Sequence, residues 1–175
     1  MEFLKTRRGY IWPITSNVGL KELKCQRSPF CKNLNIPVSN LEVSRETNYQ
    51  ISCYFSGTLT KFSIPLDFSD WSSQMRRWFS TLSQIPYGKT ISYRELAYRW
   101  GNKNASRAAG QACKRNPIPI IIPCHRVVNS DDKIKNYTLG VIKDSTFKEN
   151  ISKKLLLINL EKQTSNYSYV QKNLH

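Results

Sequence analysis

The order of apolar and polar residues divides the chain into an early β-type region and a later helical one. Gly9 to Thr15 and Val18 to Leu23 suit β segments, and Ser16-Asn17 between them suits a turn. A helix is expected next, running toward Phe55 and stopping at Gly57, the residue type favoured just past a helix end. Phe62, Ile64 and Leu66 alternate with Ser63 and Pro65, as in an extended connector. Trp71, Met75, Trp78, Phe79 and Leu82 then recur at helical spacing, with Ser69 or Asp70 as the expected N-cap, and Pro86-Tyr87-Gly88 ends that helix. Two short helices follow, residues 92–100 and 105–115, joined by Gly101-Asn102-Lys103-Asn104 and closed by Asn116-Pro117. Two helices across a tight glycine turn make a helix-turn-helix pattern. Ile120-Ile121-Ile122 reads as a buried strand. The expected organisation is an α/β unit over 1–67, a small antiparallel sheet plus a helix, and a mainly α unit over 68–175 with the helix-turn-helix.

Composition narrows the class. At 175 residues the chain is long enough for a core without metal or disulfide staples. Lys and Arg number 27 against 12 Asp and Glu, a net charge of +15, which favours a polyanionic partner. An anionic membrane face or an inert solvated surface would fit the total equally well, so placement decides. No acidic residue lies between Glu95 and Asp131, whereas Arg99, Lys103, Arg107, Lys114, Arg115 and Arg126 do. A basic stretch on a helix-turn-helix pattern is the footprint of duplex DNA binding, with phosphates supplying most of the affinity. Ala105, Ser106, Ala108, Ala109 and Gly110 leave the second helix with little bulk, suited either to a neighbouring helix or to an approaching backbone. No apolar run reaches signal-peptide or membrane-span length, so a soluble, intracellular protein is expected.

Five cysteines without C-x-x-C spacing do not form a secreted disulfide framework or a zinc module. Cys25 and Cys31 are near enough in sequence to pair, although two reduced thiols are the simpler reading. His125 and His175 are the only histidines, which argues against a multi-histidine metal centre, and no cofactor is expected. The notable constellation is Pro123-Cys124-His125-Arg126-Val127-Val128. In an extended segment adjacent side chains point to opposite faces, so His125 should not touch the Cys124 sulfur, and proton transfer between them would need a bridging water. That argues against a papain-like hydrolase.

Ile122 to Val128, I-P-C-H-R-V-V, resembles the signature of the O6-alkylguanine-DNA alkyltransferases. Ile85 to Thr90, Ser92-Tyr93, Glu95-Leu96-Ala97, Gly101-Asn102, Arg107-Ala108, Gly110 and Asn116-Pro117 are similar to the family in order and spacing, as are Asn136-Tyr137 and Lys154 through Glu161. Tyr54-Phe55-Ser56-Gly57 with Phe62 and Pro65-Leu66 resembles the end of its N-terminal, ribonuclease-H-like domain. The resemblance implies a single-use alkyl transfer in which Cys124 is the acceptor, His125 draws off its proton through water, Glu161 orients the imidazole, and Tyr93 donates to the departing guanine. It implies a base pocket shaped by Asn116, Tyr137 and Thr138. It further implies a monomer acting on double-stranded DNA that carries O6-alkylguanine. There Arg107 would replace the flipped nucleotide, and Ala105, Ala108, Gly110, Lys103, Arg115 and Arg126 would contact the duplex.

Two departures from the family pattern stand out. Leu139 occupies a position where the family commonly has glycine, and about ten additional residues lie near 141–152. Slippage there would replace Glu161 by Glu149, but the Leu155-Leu156-Leu157 run fits the family's helix and favours Glu161. Two other classes compete with the transferase: a binder of the same fold, which would lack the cysteine at position 124, and a cysteine hydrolase.

Overall fold

The structure, a computed structural model, describes residues 4–6, 9–26, 40–130 and 147–172. Three antiparallel strands, β1 (Leu4–Thr6), β2 (Gly9–Thr15) and β3 (Leu20–Gln26), form a sheet in chain order. β2 lies where the sequence pattern puts it, and β3 starts two residues later and runs three residues further than the expected Val18 to Leu23. β1 is an addition, since three residues carry too little pattern to announce a strand. The turn between β2 and β3 is held by Ser16, whose Oγ accepts from the Val18 and Gly19 amides. A Cβ on Gly19 would collide with the Pro65 carbonyl. That closeness lets Leu20 N donate to Pro65 O and Asp67 N donate to Leu20 O, fastening the 62–66 connector to the sheet.

α1 (Leu41–Phe55) starts at Asn40, whose side chain accepts from Val43 N, and ends before Gly57, which adopts φ +79°. Val43, Thr47, Ile51 and Tyr54 are buried at helical spacing, and α1 packs on β2 and β3. α2 (Ser73–Ser83) begins two to three residues later than expected: its cap is Ser72, not Ser69 or Asp70. The earlier candidates are engaged elsewhere, the Ser69 amide with Asp67 and the Asp70 carboxylate with Lys21. Trp71 therefore precedes the helix and packs edge-on against Phe79.

α3 (Tyr93–Trp100) is capped by Ser92 and stops at left-handed Gly101; α4 (Ser106–Lys114) follows and buries Ala109, Ala112 and Cys113. β4 (Ile91–Ser92) pairs in parallel with β5 (Val127–Val128), bringing the start of α3 beside residues 124–126. α5 (Phe147–Lys172) turns Lys154, Leu157, Ile158 and Glu161 inward, one face at helical spacing. One apolar cluster runs from Ile11 and Leu23 through Tyr54, Leu82 and Leu96 to Ile118 and Leu157. The sheet also meets the later part of the chain through Leu23 N, which donates to Pro117 O at 2.8 Å. The result is an α/β fold. Among the described residues no helix is long and apolar enough to cross a membrane.

Candidate active site

The segment from Asn116 to Arg126 is folded by its prolines. Pro117, Pro119 and Pro123 have no amide hydrogen, so the strand expected at Ile120–Ile122 cannot form a regular ladder. The backbone turns instead, with Ile122 N returning to Ile118 O and Ile120 held at φ +76°. A β-branched residue there costs on the order of 1–3 kcal/mol and persists only where its surroundings fix it. Asn116 does much of that fixing. Its Oδ1 accepts from Ile118 N, and its Nδ2 donates to Ile122 O at 2.8 Å and to Cys124 Sγ at 3.1 Å. Cys124 is 2 % exposed, and its sulfur is thus positioned by a neutral donor that also braces its loop.

Cys124–Arg126 form a 3-10 turn, not the extended segment expected from sequence. His125 still makes no hydrogen bond to the sulfur. Its ring is fully buried, Nε2 lies 2.8 Å from Glu161 Oε1, and Nδ1 has no hydrogen-bond partner among the described residues. Because a carboxylate only accepts, Nε2 carries the hydrogen and Nδ1 the lone pair. Burial pushes the His125 pKa down, against the opposing pull of Glu161, so the imidazole is neutral and able to take a proton.

Glu161 is 1 % exposed and surrounded by donors. Oε1 receives Tyr54 OH at 2.8 Å, His125 Nε2 and Arg126 Nη2 at 3.0 Å; Oε2 receives Arg126 Nε and Gly88 N, each at 3.0 Å. Burial alone would raise its pKa, but His125 and Arg126 outweigh this and hold the carboxyl at about 2. Gly88 is confined twice over: φ is +73°, and an added Cβ would strike the Ser165 side chain.

Arg126, expected on the DNA surface, is a correction. Its guanidinium is buried, clamps Glu161 and donates to Ile85 O at 2.6 Å, so it is withdrawn from any phosphate. Tyr93 stands at the first turn of α3, half-buried, with its pKa raised by burial and by Cys113 and Cys124. It is a proton-bearing phenol near the Cys124 and Cys113 sulfurs. In the sequence Lys154 stands out only as part of a motif. It is buried, donates to Val127 O, and places Nζ 5.7 Å from the Tyr93 ring centre. Burial lowers its pKa while the two nearby thiols, Cys124 and Cys113, oppose that shift. Tyr54 is the other side chain whose place at the site sequence reasoning missed, since it stands out there only as part of the motif at the end of the N-terminal unit.

Of the expected DNA-contacting residues, Lys103, Arg107, Ala108 and Arg115 are exposed, while Ala105 and Gly110 are partly covered. Among the described residues a Cβ built on Gly110 would meet nothing within 4 Å, so none of their helices requires a glycine there. Tyr137, Thr138 and Leu139 lie outside the described residues, as do Cys31 and His175. Cys25 is a buried free thiol, pushed up to about 12 by burial. No metal-binding cluster of His, Cys, Asp and Glu occurs among the described residues.

Residues 73–163 match the family described as 6-O-methylguanine DNA methyltransferase, DNA binding domain. A methylated-DNA–protein-cysteine methyltransferase of Methanosarcina acetivorans is 41% identical over 126 residues, 70% of this chain and 79% of that protein. The crystal structure of Mycobacterium tuberculosis OGT in complex with DNA superposes with a TM-score of 0.75 at 29% identity, covering 93% of this chain and 92% of that one. The O6-methylguanine methyltransferase of the same organism gives 0.72 at 28% identity, with 93% and 92% covered. The chain belongs to the 6-O-methylguanine DNA methyltransferase family. The matched span includes Tyr93, Arg107, Asn116, Cys124, His125 and Glu161.

Proposed function

We propose that this protein repairs DNA by moving an alkyl group from O6 of guanine onto Cys124, once per molecule. The observation that carries the proposal is the acceptor arrangement: a sulfur held by Asn116, followed in the chain by a neutral histidine whose far nitrogen is fixed on a buried carboxylate. Sγ attacks the alkyl carbon as the carbon–O6 bond breaks, the thiol proton passes through water to His125 Nδ1, and Tyr93 donates to the departing guanine. The product thioether has no good leaving group, which makes the reaction stoichiometric. No cofactor enters the reaction.

The substrate is double-stranded DNA, approached by a helix-turn-helix formed by α3 and α4. The open position beside Gly110, the exposed Lys103, Arg107 and Arg115, and the DNA-bound state of the similar mycobacterial structure support this. O6 lies inside the duplex, so the nucleotide must be flipped out, at a cost of a few kcal/mol, with Arg107 taking its place. Asn116, Tyr137 and Thr138 shape the pocket that receives it. The protein acts as an intracellular monomer, with residues 1–67 as a ribonuclease-H-like domain and 68–175 as the DNA-binding and transfer domain.

Mass spectrometry of the intact chain after incubation with an O6-methylguanine duplex tests this. The expected result is one methyl increment, mapped to Cys124 and abolished by Cys124→Ser. Binding without an increment, a methyl on Cys25, Cys53 or Cys113, or continued product release overturns it.

A further inference from the structure

Tyr54 belongs to α1, far in sequence from the reacting groups, yet its hydroxyl ends inside their network. The side chain is fully buried, its OH donates to Glu161 Oε1 at 2.8 Å, and its oxygen lies 3.4 Å from His125 Nε2. The ring is wedged between Phe62, Phe55 and Tyr87, with centroids 5.5, 5.6 and 6.1 Å away, so the hydroxyl has little freedom to point elsewhere. A tyrosine in a core of this kind needs no hydroxyl for packing; phenylalanine would fill the same volume. The hydroxyl meets the same carboxylate oxygen that fixes the histidine.

We infer that Tyr54 is a positioning residue for the proposed alkyl transfer: its hydroxyl fixes Glu161 Oε1 against His125 Nε2, so that α1 completes the proton-accepting apparatus assembled by the later helices. Two consequences follow from that geometry. With Oε1 held, His125 keeps its hydrogen on Nε2 and its lone pair on Nδ1. Without the hydroxyl the carboxylate remains on Arg126 and Gly88 but loses one of the contacts that set its angle to the imidazole. The other ionisable groups around this centre are Arg126 and Tyr87, Lys154 from α5, Tyr93 from α3 and Cys113 from α4. Only Tyr54 reaches it from the first 55 residues among those described.

The inference rests on the transferase reading, and its test separates the two. Tyr54→Phe keeps the ring and removes one oxygen. At saturating protein, single-turnover transfer from an O6-methylguanine duplex should slow about fivefold to tenfold near pH 7, the worth of roughly one ordinary hydrogen bond. The deficit should shrink at alkaline pH, where the thiol ionises without help from the imidazole, and DNA affinity should not change. In parallel, nitrogen-15 NMR of histidine-labelled protein reports the imidazole directly, since His175 is the only other histidine and its signals are assigned with His175→Ala. The His125 signals should move from a pure Nε2–H pattern toward a mixture of tautomers. Wild-type rates at every pH with unmoved His125 signals overturn the inference, as does a loss that is uniform across pH, which marks a packing defect. If the wild-type protein transfers no alkyl group, the proposed function fails, while the NMR comparison still decides whether Tyr54 fixes the histidine.

Discussion

Glu161→Gln removes one charge from a site where four other residues depend on it. A carboxamide has one accepting oxygen and one donating nitrogen, so whichever way it turns, its NH2 faces donors from Arg126 and Gly88 or from Tyr54 and His125. Two routes give the magnitude. The wild-type carboxyl titrates at about 2 instead of 4.5, and at 1.36 kcal/mol per unit this corresponds to about 3 kcal/mol of stability near neutral pH. Breaking a buried ion pair by removing one partner costs about 3–5 kcal/mol, because the other charge is left uncompensated. Both describe one cluster and are not summed, so the expected loss is about 3 kcal/mol. Its pH dependence follows from proton binding. The folded carboxyl binds its proton less readily than the unfolded one, so its contribution is complete above pH 4.5 and disappears as pH falls toward 2. His125, whose folded pKa is also lowered, adds acid lability beginning below its ordinary 6.5. Urea unfolding of wild type and variant at several pH values is the assay. The curves should differ by about 3 kcal/mol at pH 7 and converge in acid. A difference below about 1 kcal/mol at neutral pH, or parallel acid slopes, refutes the reasoning.

Two further outcomes bear on the DNA face. Arg107→Ala should slow repair of alkylated guanine in a duplex at least about tenfold, or ~1.4 kcal/mol of barrier, while reaction with free O6-benzylguanine stays at the wild-type rate. Full rescue of the duplex rate by saturating protein would reduce Arg107 to a phosphate contact. At Gly110, alanine should raise helix stability by up to about 1 kcal/mol, since its Cβ meets nothing. Gly110→Leu should weaken duplex binding, measured by fluorescence anisotropy, without lowering the thermal midpoint; unchanged affinity would remove this face from the interface.

Local patterns in the sequence carried β2, β3, the end of α1 at Gly57, and the pair of helices around Gly101, because each rests on short-range periodicity or a single residue's backbone preference. The family signature points to Cys124, His125 and Glu161, and the structure brings the last two together across 36 residues of chain. What the sequence did not show was the outcome of competition. Three neighbouring polar residues could each cap α2, and Ser72 does so because Asp67 and Lys21 engage the others. Three isoleucines in a row suggested a strand, but the prolines around them remove the donors a ladder needs. Arg126 counts as a surface charge until its partner, supplied by a helix 35 residues further on, is known. Tyr54 is the extreme case, a core aromatic whose one polar atom meets its partner 107 residues away.

Those separations have a bearing on how the protein comes into being. The carboxylate at position 161 joins contributions from residues 54, 88, 125 and 126, so the centre closes only when the last helix docks. A chain still emerging from the ribosome carries Cys124 well before it carries Glu161, and during that interval the sulfur lies beside a histidine that nothing orients. Contacts of such long range form late because the intervening chain must first be ordered. This order of assembly keeps the thiol unassisted until the fold that aims it is complete.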